Sequence, residues 1–177
     1  NVQRAGKHDR PLRLDGDGLT PLRVAVDGKD LTPTDWRLDN GVLIIAPSGD
    51  ALVVETEVEI APAANTQLMG LYASGGLLCT QCEPEGFRRI TFFPDRPDVL
   101  SRFDVMMRAD KAAFPVLLAN GDPIEQGDGG GGKHWARWVD PFPKPSYLFA
   151  LVAGNLACNE DSFTTMSGRA GKLGVWG

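Results

Sequence analysis

The sequence predicts an all-β fold, an antiparallel β-sandwich built from many short strands. Three observations carry that expectation. Turn signals recur roughly every 8–12 residues along the chain. Between them lie short runs that alternate apolar and polar residues, the period of a half-buried strand. Helical periodicity is almost absent, apart from one expected helical turn near residues 97–101. The 177 residues suffice for a single domain, and 42% hydrophobic content supplies a core.

Taken in order, Leu12-Arg13-Leu14 alternates and stops at Asp15-Gly16, a strand meeting a turn. Residues 22–26 alternate again, and Asp27-Gly28 after them is a hairpin signal. Trp36-Arg37-Leu38 runs into Asp39-Asn40-Gly41, with Val42-Leu43-Ile44-Ile45 beyond. Asn-Gly tolerates the positive φ angles of a type I′ turn, so this is the clearest hairpin in the chain. Residues 52–60 place Thr56, Val58 and Ile60 on one face and Glu55, Glu57 and Glu59 on the other, a long strand with one wet side.

After a break at 62–66, residues 79–103 crowd charges, aromatics, prolines and two cysteines together. Within this stretch Asp95-Arg96-Pro97-Asp98 reads as a turn feeding the helical turn. Residues 102–108 form another strand, 116–118 a short one, 129–132 a flexible glycine tip, and 134–139 its return strand. Pro141, Pro143 and Pro145 read as a rigid connector excluded from a central strand. Residues 147–153 and 163–165 are strands, and 172–176 looks like a strand lacking its partner.

Composition also excludes classes of function. The net charge of −5, with no basic run of five, argues against nucleic acid, whose affinity rests on neutralising phosphates. No apolar stretch approaches the roughly 20 residues of a bilayer span, so no membrane partner is expected. The chain does not begin with Met, and no signal peptide is visible. Three cysteines, an odd number, point to free thiols in a reducing, cytoplasmic setting.

Each candidate site has a plain alternative. Cys79-x-x-Cys82 has half the ligands of a zinc site, and no second knuckle accompanies it. Positions three apart on a strand face opposite ways, so these thiols read as packing groups. The glycines at 129–132 lack the Gly-Lys-Ser/Thr that would make a phosphate loop. In residues 134–138 Trp135 suits ligand stacking, but an alternating strand with one core face, leaving His134 or Arg137 wet, explains it as well. No serine lies in a nucleophile motif. Gln81 and Glu83, two residues apart on a segment leaving a sheet, are suited to face one side and hold a cationic group; the plain reading is a surface turn.

A resemblance changes the weight of that last pair. Leu71-Tyr72-Ala73-Ser74-Gly75-Gly76, residues 79–88, Asp95-Arg96-Pro97-Asp98, residues 140–145 and residues 147–154 together resemble the N-terminal domain of the bacterial aminopeptidase N family, the M1 zinc metallopeptidases. The likeness spans nearly the whole chain and is strongest from about residue 68 onward. It implies a saddle-shaped β domain packed over the catalytic domain of the same polypeptide, with zinc in the parent enzyme and none on this piece. It further implies that the Gln81-x-Glu83 motif reaches the active site, where Glu83 grips the α-ammonium of the peptide N-terminus and Gln81 lines the same pocket. The His-Glu-x-x-His and Gly-Ala-Met-Glu-Asn motifs of the family are absent. The expectation is therefore a single domain, residues 1–177, cut at both ends, that supplies recognition and no catalytic residue. The alternatives are a stand-alone β-sandwich binding or scaffold module, which predicts an open reading frame ending near Gly177, and a small hydrolase in its own right, which lacks a nucleophile–base pair.

Overall fold

The computed structural model describes residues 1–46 and 49–177. The N-terminal part contains β1 (Val2–Gln3), β2 (Leu12–Leu14), β3 (Thr20–Val26), β4 (Lys29–Asp30), β5 (Trp36–Asp39), β6 (Val42–Ile45), β7 (Ala51–Leu52) and β8 (Val54–Glu59). They pair antiparallel as β2-β6-β5, β4-β3-β8 and β1-β7. Both short hairpins form at the expected dipeptides. Asp27 and Gly28 sit at φ 52° and 78°, Asn40 and Gly41 at 51° and 83°, the mirror-image turn that suits the twist of paired strands. Along β8 the glutamates are exposed and Val54, Thr56 and Val58 are half-buried. Leu14, Val24, Val26, Leu43, Ile45, Leu52 and Phe92 close a core beneath these strands.

The remainder contains β9 (Gly70–Ser74), β10 (Leu77–Gln81), β11 (Leu100–Asp110), β12 (Val116–Ala119), β13 (Asp122–Gly130), β14 (Lys133–Pro145), β15 (Leu151–Gly154), β16 (Cys158–Thr164) and β17 (Ala170–Trp176). Sheets β12-β15-β10-β9 and β11-β14-β13 are again antiparallel. Between them lie Met107, Leu117, Ala136 and Ala153. An aromatic cluster of Phe87, Phe103 and Phe149, with Phe93 packed on it, adjoins that core through Val105 and Leu151. Phe87 meets Phe93, Phe103 and Phe149 edge-on at centroid distances of 4.9, 5.7 and 5.0 Å, the geometry the ring quadrupole favours. The fold is thus antiparallel β throughout, as the pattern of short strands predicts.

Four expectations need correction. Residues 97–98 form a simple turn, closed by the Val99 N–H donating to the Arg96 carbonyl at 3.2 Å, and strand β11 begins at Leu100. The single 3-10 turns lie instead at Pro62–Ala64, Phe87–Arg89 and Ser146–Leu148. The proline connector belongs to strand β14, because β13 ends where Asp122 faces Val139. Beyond that point β14 pairs only with β11, and a proline on a free edge removes no ladder bond. Residues 147–153 are split between the last 3-10 turn and β15, which starts at Leu151. Finally, the strand at 172–176 has a partner: β17 pairs with β16 from Cys158↔Trp176 to Thr164↔Ala170.

The two parts of the molecule meet around residues 15–17 and 88–95, where Phe92 also packs into the N-terminal core. Asp15 and Phe93 exchange backbone hydrogen bonds of 2.7 and 3.0 Å. The Asp17 N–H donates to the Arg88 carbonyl at 2.9 Å, and Arg89 pairs with Asp17 at 2.6 Å. Among the described residues no helix is long and apolar enough to cross a membrane.

Candidate acidic loop

The chain leaves β10 at Gln81 and enters the 3-10 turn at Phe87. Two side chains fasten the loop between them. Cys82 is 3% exposed and Phe87 5%, both in the aromatic cluster. Burial pushes the Cys82 thiol up to about 12, so it stays a neutral apolar filler. The flanking positions do the opposite: Gln81, Glu83 and Glu85 are exposed. Gln81 Nε2 donates to the Glu83 carbonyl at 3.0 Å, which stitches the two candidate residues into one local unit. The Gly86 N–H donates to the Cys82 carbonyl at 2.7 Å and closes the loop.

Gly86 is glycine for lack of room. Its φ of −84° is open to any residue. A Cβ there would lie 2.2 Å from the Gln81 carbonyl oxygen, 2.8 Å from Cys82 Cα and 2.9 Å from the Gly70 nitrogen. Strand β9 and both ends of the loop therefore touch backbone to backbone.

The charges of the loop are not equivalent. Glu85 pairs with Arg88 Nη1 at 3.2 Å. The Glu83 carboxylate has no hydrogen-bond or ion-pair partner among the described residues. Behind it sits a cluster that the sequence did not announce. Asp95, 3% exposed, accepts from the Arg88 N–H at 3.1 Å, from Arg88 Nε at 3.0 Å and from the Ser146 hydroxyl. The Asp95 carbonyl accepts from Arg88 Nη2 at 2.9 Å, and the Asp95 N–H donates to the Asp15 carboxylate at 3.1 Å. Arg88 and Asp95 stand seven residues apart with two phenylalanines and one proline between them, so no periodicity pairs them.

The other candidates are occupied structurally. Cys79, Cys82 and Cys158 are free thiols. His134 Nε2 lies 2.7 Å from the Phe114 carbonyl, and Trp138 Nε1 donates to the Leu117 carbonyl at 3.0 Å. Trp135 covers Gly127, where a Cβ would meet the indole at 3.0 Å. Arg137 forks onto Asp104 at 2.9 and 2.8 Å, and this hydrogen-bonded guanidinium holds the Asp104 carboxyl below its usual range. Gly131 and Gly132 sit at the turn between β13 and β14. Among the described residues no group of three or more His, Cys, Asp or Glu is placed to hold a metal ion. His8, the other histidine, is engaged through Nδ1 with Arg4 and the Arg10 N–H.

Fold and site together define an antiparallel β domain that displays one free carboxylate on a fastened loop. The Peptidase M1 N-terminal domain model matches residues 29–148, and the chain belongs to that family. Aminopeptidase N of Caulobacter vibrioides is 54% identical over 176 residues, covering 99% of this chain and 20% of the relative. Aminopeptidase N of Escherichia coli is 50% identical over 166 residues, 94% of this chain and 19% of its own length. The chain thus spans about a fifth of the length of the curated relatives it matches. Legionella pneumophila aminopeptidase A, solved in complex with aspartic acid, superposes with a TM-score of 0.92 at 35% identity, over 97% of this chain and 20% of that one. An M1 zinc metallopeptidase from Deinococcus radiodurans shares the fold with a TM-score of 0.76 at 18% identity, over 94% of this chain and 40% of that one.

Proposed function

We propose that this domain is the substrate-recognition part of an aminopeptidase, and that Glu83 binds the α-ammonium of a peptide N-terminus with Gln81 beside it. The observation that carries the reading is the unpaired Glu83 carboxylate on a loop whose other acid is neutralised. A carboxylate and an ammonium form a charge-assisted hydrogen bond, stronger than a neutral one. An internal peptide segment brings no ammonium and would leave the carboxylate desolvated and unpaired under a covering domain. That penalty selects chain ends over chain interiors. Gln81, tied to the Glu83 carbonyl, keeps its amide oxygen available as a second acceptor.

Among the described residues no group of three or more His, Cys, Asp or Glu is placed to hold a metal ion, and we assign the reaction itself to the remainder of the parent polypeptide. Its catalytic domain would cover the loop. Supporting this are the names of the relatives, aminopeptidases about five times longer than the chain. The free cysteines suit a reducing compartment, and the reading places the protein in the cytoplasm.

Glu83→Ala in the full-length protein tests this directly. Leaving an ammonium without its carboxylate costs about 2–5 kcal/mol, so kcat/KM on a free peptide is expected to fall by about 30-fold to several thousand-fold. Zinc content, measured by atomic emission, should stay normal. Unchanged turnover would refute the assignment.

A further inference from the structure

Building on that reading, we infer that Asp95 is a positioning residue that holds the Glu83 loop in its binding geometry by clamping Arg88. The load path is short. Ser146 and two Arg88 donors converge on one carboxylate, Arg88 Nη1 continues to Glu85, and Glu85 lies two residues from Glu83. The Asp15 carboxylate fixes Asp95 from the far side through the Asp95 N–H. Asp95 is therefore held by the N-terminal part and by the segment after β14 at once.

Stability alone does not explain this cluster. Taking a carboxylate and a guanidinium out of water is costly, and an apolar filler of like volume commonly does as well. Phe87 of the aromatic cluster lies immediately before Arg88, so apolar surroundings were at hand. What a forked ion pair adds over a filler is direction. A guanidinium anchored on one edge by the Asp95 carboxylate and carbonyl can present its remaining nitrogen to Glu85 in one orientation only. The same anchoring keeps Glu85 neutralised, so the loop offers a single free acid. Released from Asp95, Arg88 would turn toward the nearest exposed carboxylates, and Glu83 would lose both its position and its electrostatic distinctness.

The test uses the full-length protein and a peptide substrate with a free N-terminus. Asp95→Asn is expected to raise KM roughly ten-fold, below the roughly hundred-fold that a full ångström of misplacement can cost, with kcat per titrated active site within about two-fold of wild type. Arg88→Lys keeps the charge and loses the fork, and should show the same pattern at smaller size. It also carries the test if Asp95→Asn folds poorly. In the Glu83→Ala background, Asp95→Asn should add less than two-fold to KM, because it acts through the residue already removed. A lower Tm and fewer titrated sites with KM unchanged would make Asp95 a purely structural residue and overturn the inference. So would a ten-fold further rise in the double variant. If Glu83→Ala itself leaves kcat/KM unchanged, the recognition reading fails, and this inference falls with it. If Glu83→Ala raises KM and neither positioning variant does, the inference alone fails.

Discussion

Gly86 gives the sharpest test of how tightly the loop is built. An alanine there adds one methyl group, and its backbone conformation needs no change. The methyl carbon would sit 2.2 Å from the Gln81 carbonyl oxygen, about 1 Å inside an ordinary contact. The three nearest atoms all belong to backbone, of Gln81, Cys82 and Gly70, so no side chain can swing away to relieve these contacts. Overpacking of this kind costs about 1–3 kcal/mol. For a domain of this size that is a fall in Tm of about 3–10 °C. The movement that relieves it displaces Gln81 and Glu83 themselves, so KM for a free peptide should rise by roughly ten-fold or more in the same variant. Gly131→Ala is the control: its φ is +60°, nothing lies within 4 Å, and it should cost about 1 kcal/mol with KM unchanged. Differential scanning fluorimetry and steady-state kinetics on the two variants suffice. A Gly86→Ala protein with wild-type Tm and KM would show that the loop is loosely packed and that the geometric argument is wrong.

Two further predictions concern single side chains. At about pH 8 the Cys82 thiol, held protonated by burial, should resist iodoacetamide while Cys79 and Cys158 react, and should be modified only after unfolding in urea; peptide mapping by mass spectrometry reads this, and early labelling of Cys82 refutes its buried placement. The Lys144 ammonium, in contact with Asp140, holds that carboxyl below its usual range. A carboxyl with a depressed folded pKa stabilises the fold above its unfolded value of about 3.9 and loses that contribution as pH falls through the folded value. Asp140→Asn should therefore lower the urea midpoint at neutral pH, and the gap to wild type should narrow steadily below about pH 4; a gap constant across that range contradicts the pairing.

Local patterns were legible in the residues, and partner-dependent ones were not. Asp27-Gly28 and Asn40-Gly41 announced their hairpins because a two-residue turn is fixed by its own φ angles. The wet glutamates of β8 followed from the two-residue period. Gln81 and Glu83, expected to face one side, are both exposed, and Cys82, expected to pack, is buried between them. Strand limits were harder, since β14 continues through three prolines only because its second neighbour has ended. The pairing of β16 with β17 was hidden by Asn159, Glu160, Asp161 and Ser162, polar on both faces of β16. The role of Asp95, named only as a turn and motif residue, was missed for a physical reason as well. Its motif was noted, but a buried carboxylate is defined by donors that arrive from Arg88 and Ser146, and neither pairing is written in the spacing of residues.

The joint between the two parts of the molecule bears on the thermodynamics of whatever meets the loop. Asp15 and Ser146 bond Asp95, which anchors Arg88, Asp17 pairs with Arg89, and Cys82 and Phe87 bury the two ends of the loop in the aromatic cluster. The backbone that carries the Glu83 carboxylate is fastened before any cation approaches, so on the proposed reading association would forfeit little backbone freedom and spend its cost mainly on ordering one side chain. Distant strands become part of that arrangement: a disturbance at β2, which leads directly into Asp15, would be felt as a change in the entropy of binding at Glu83.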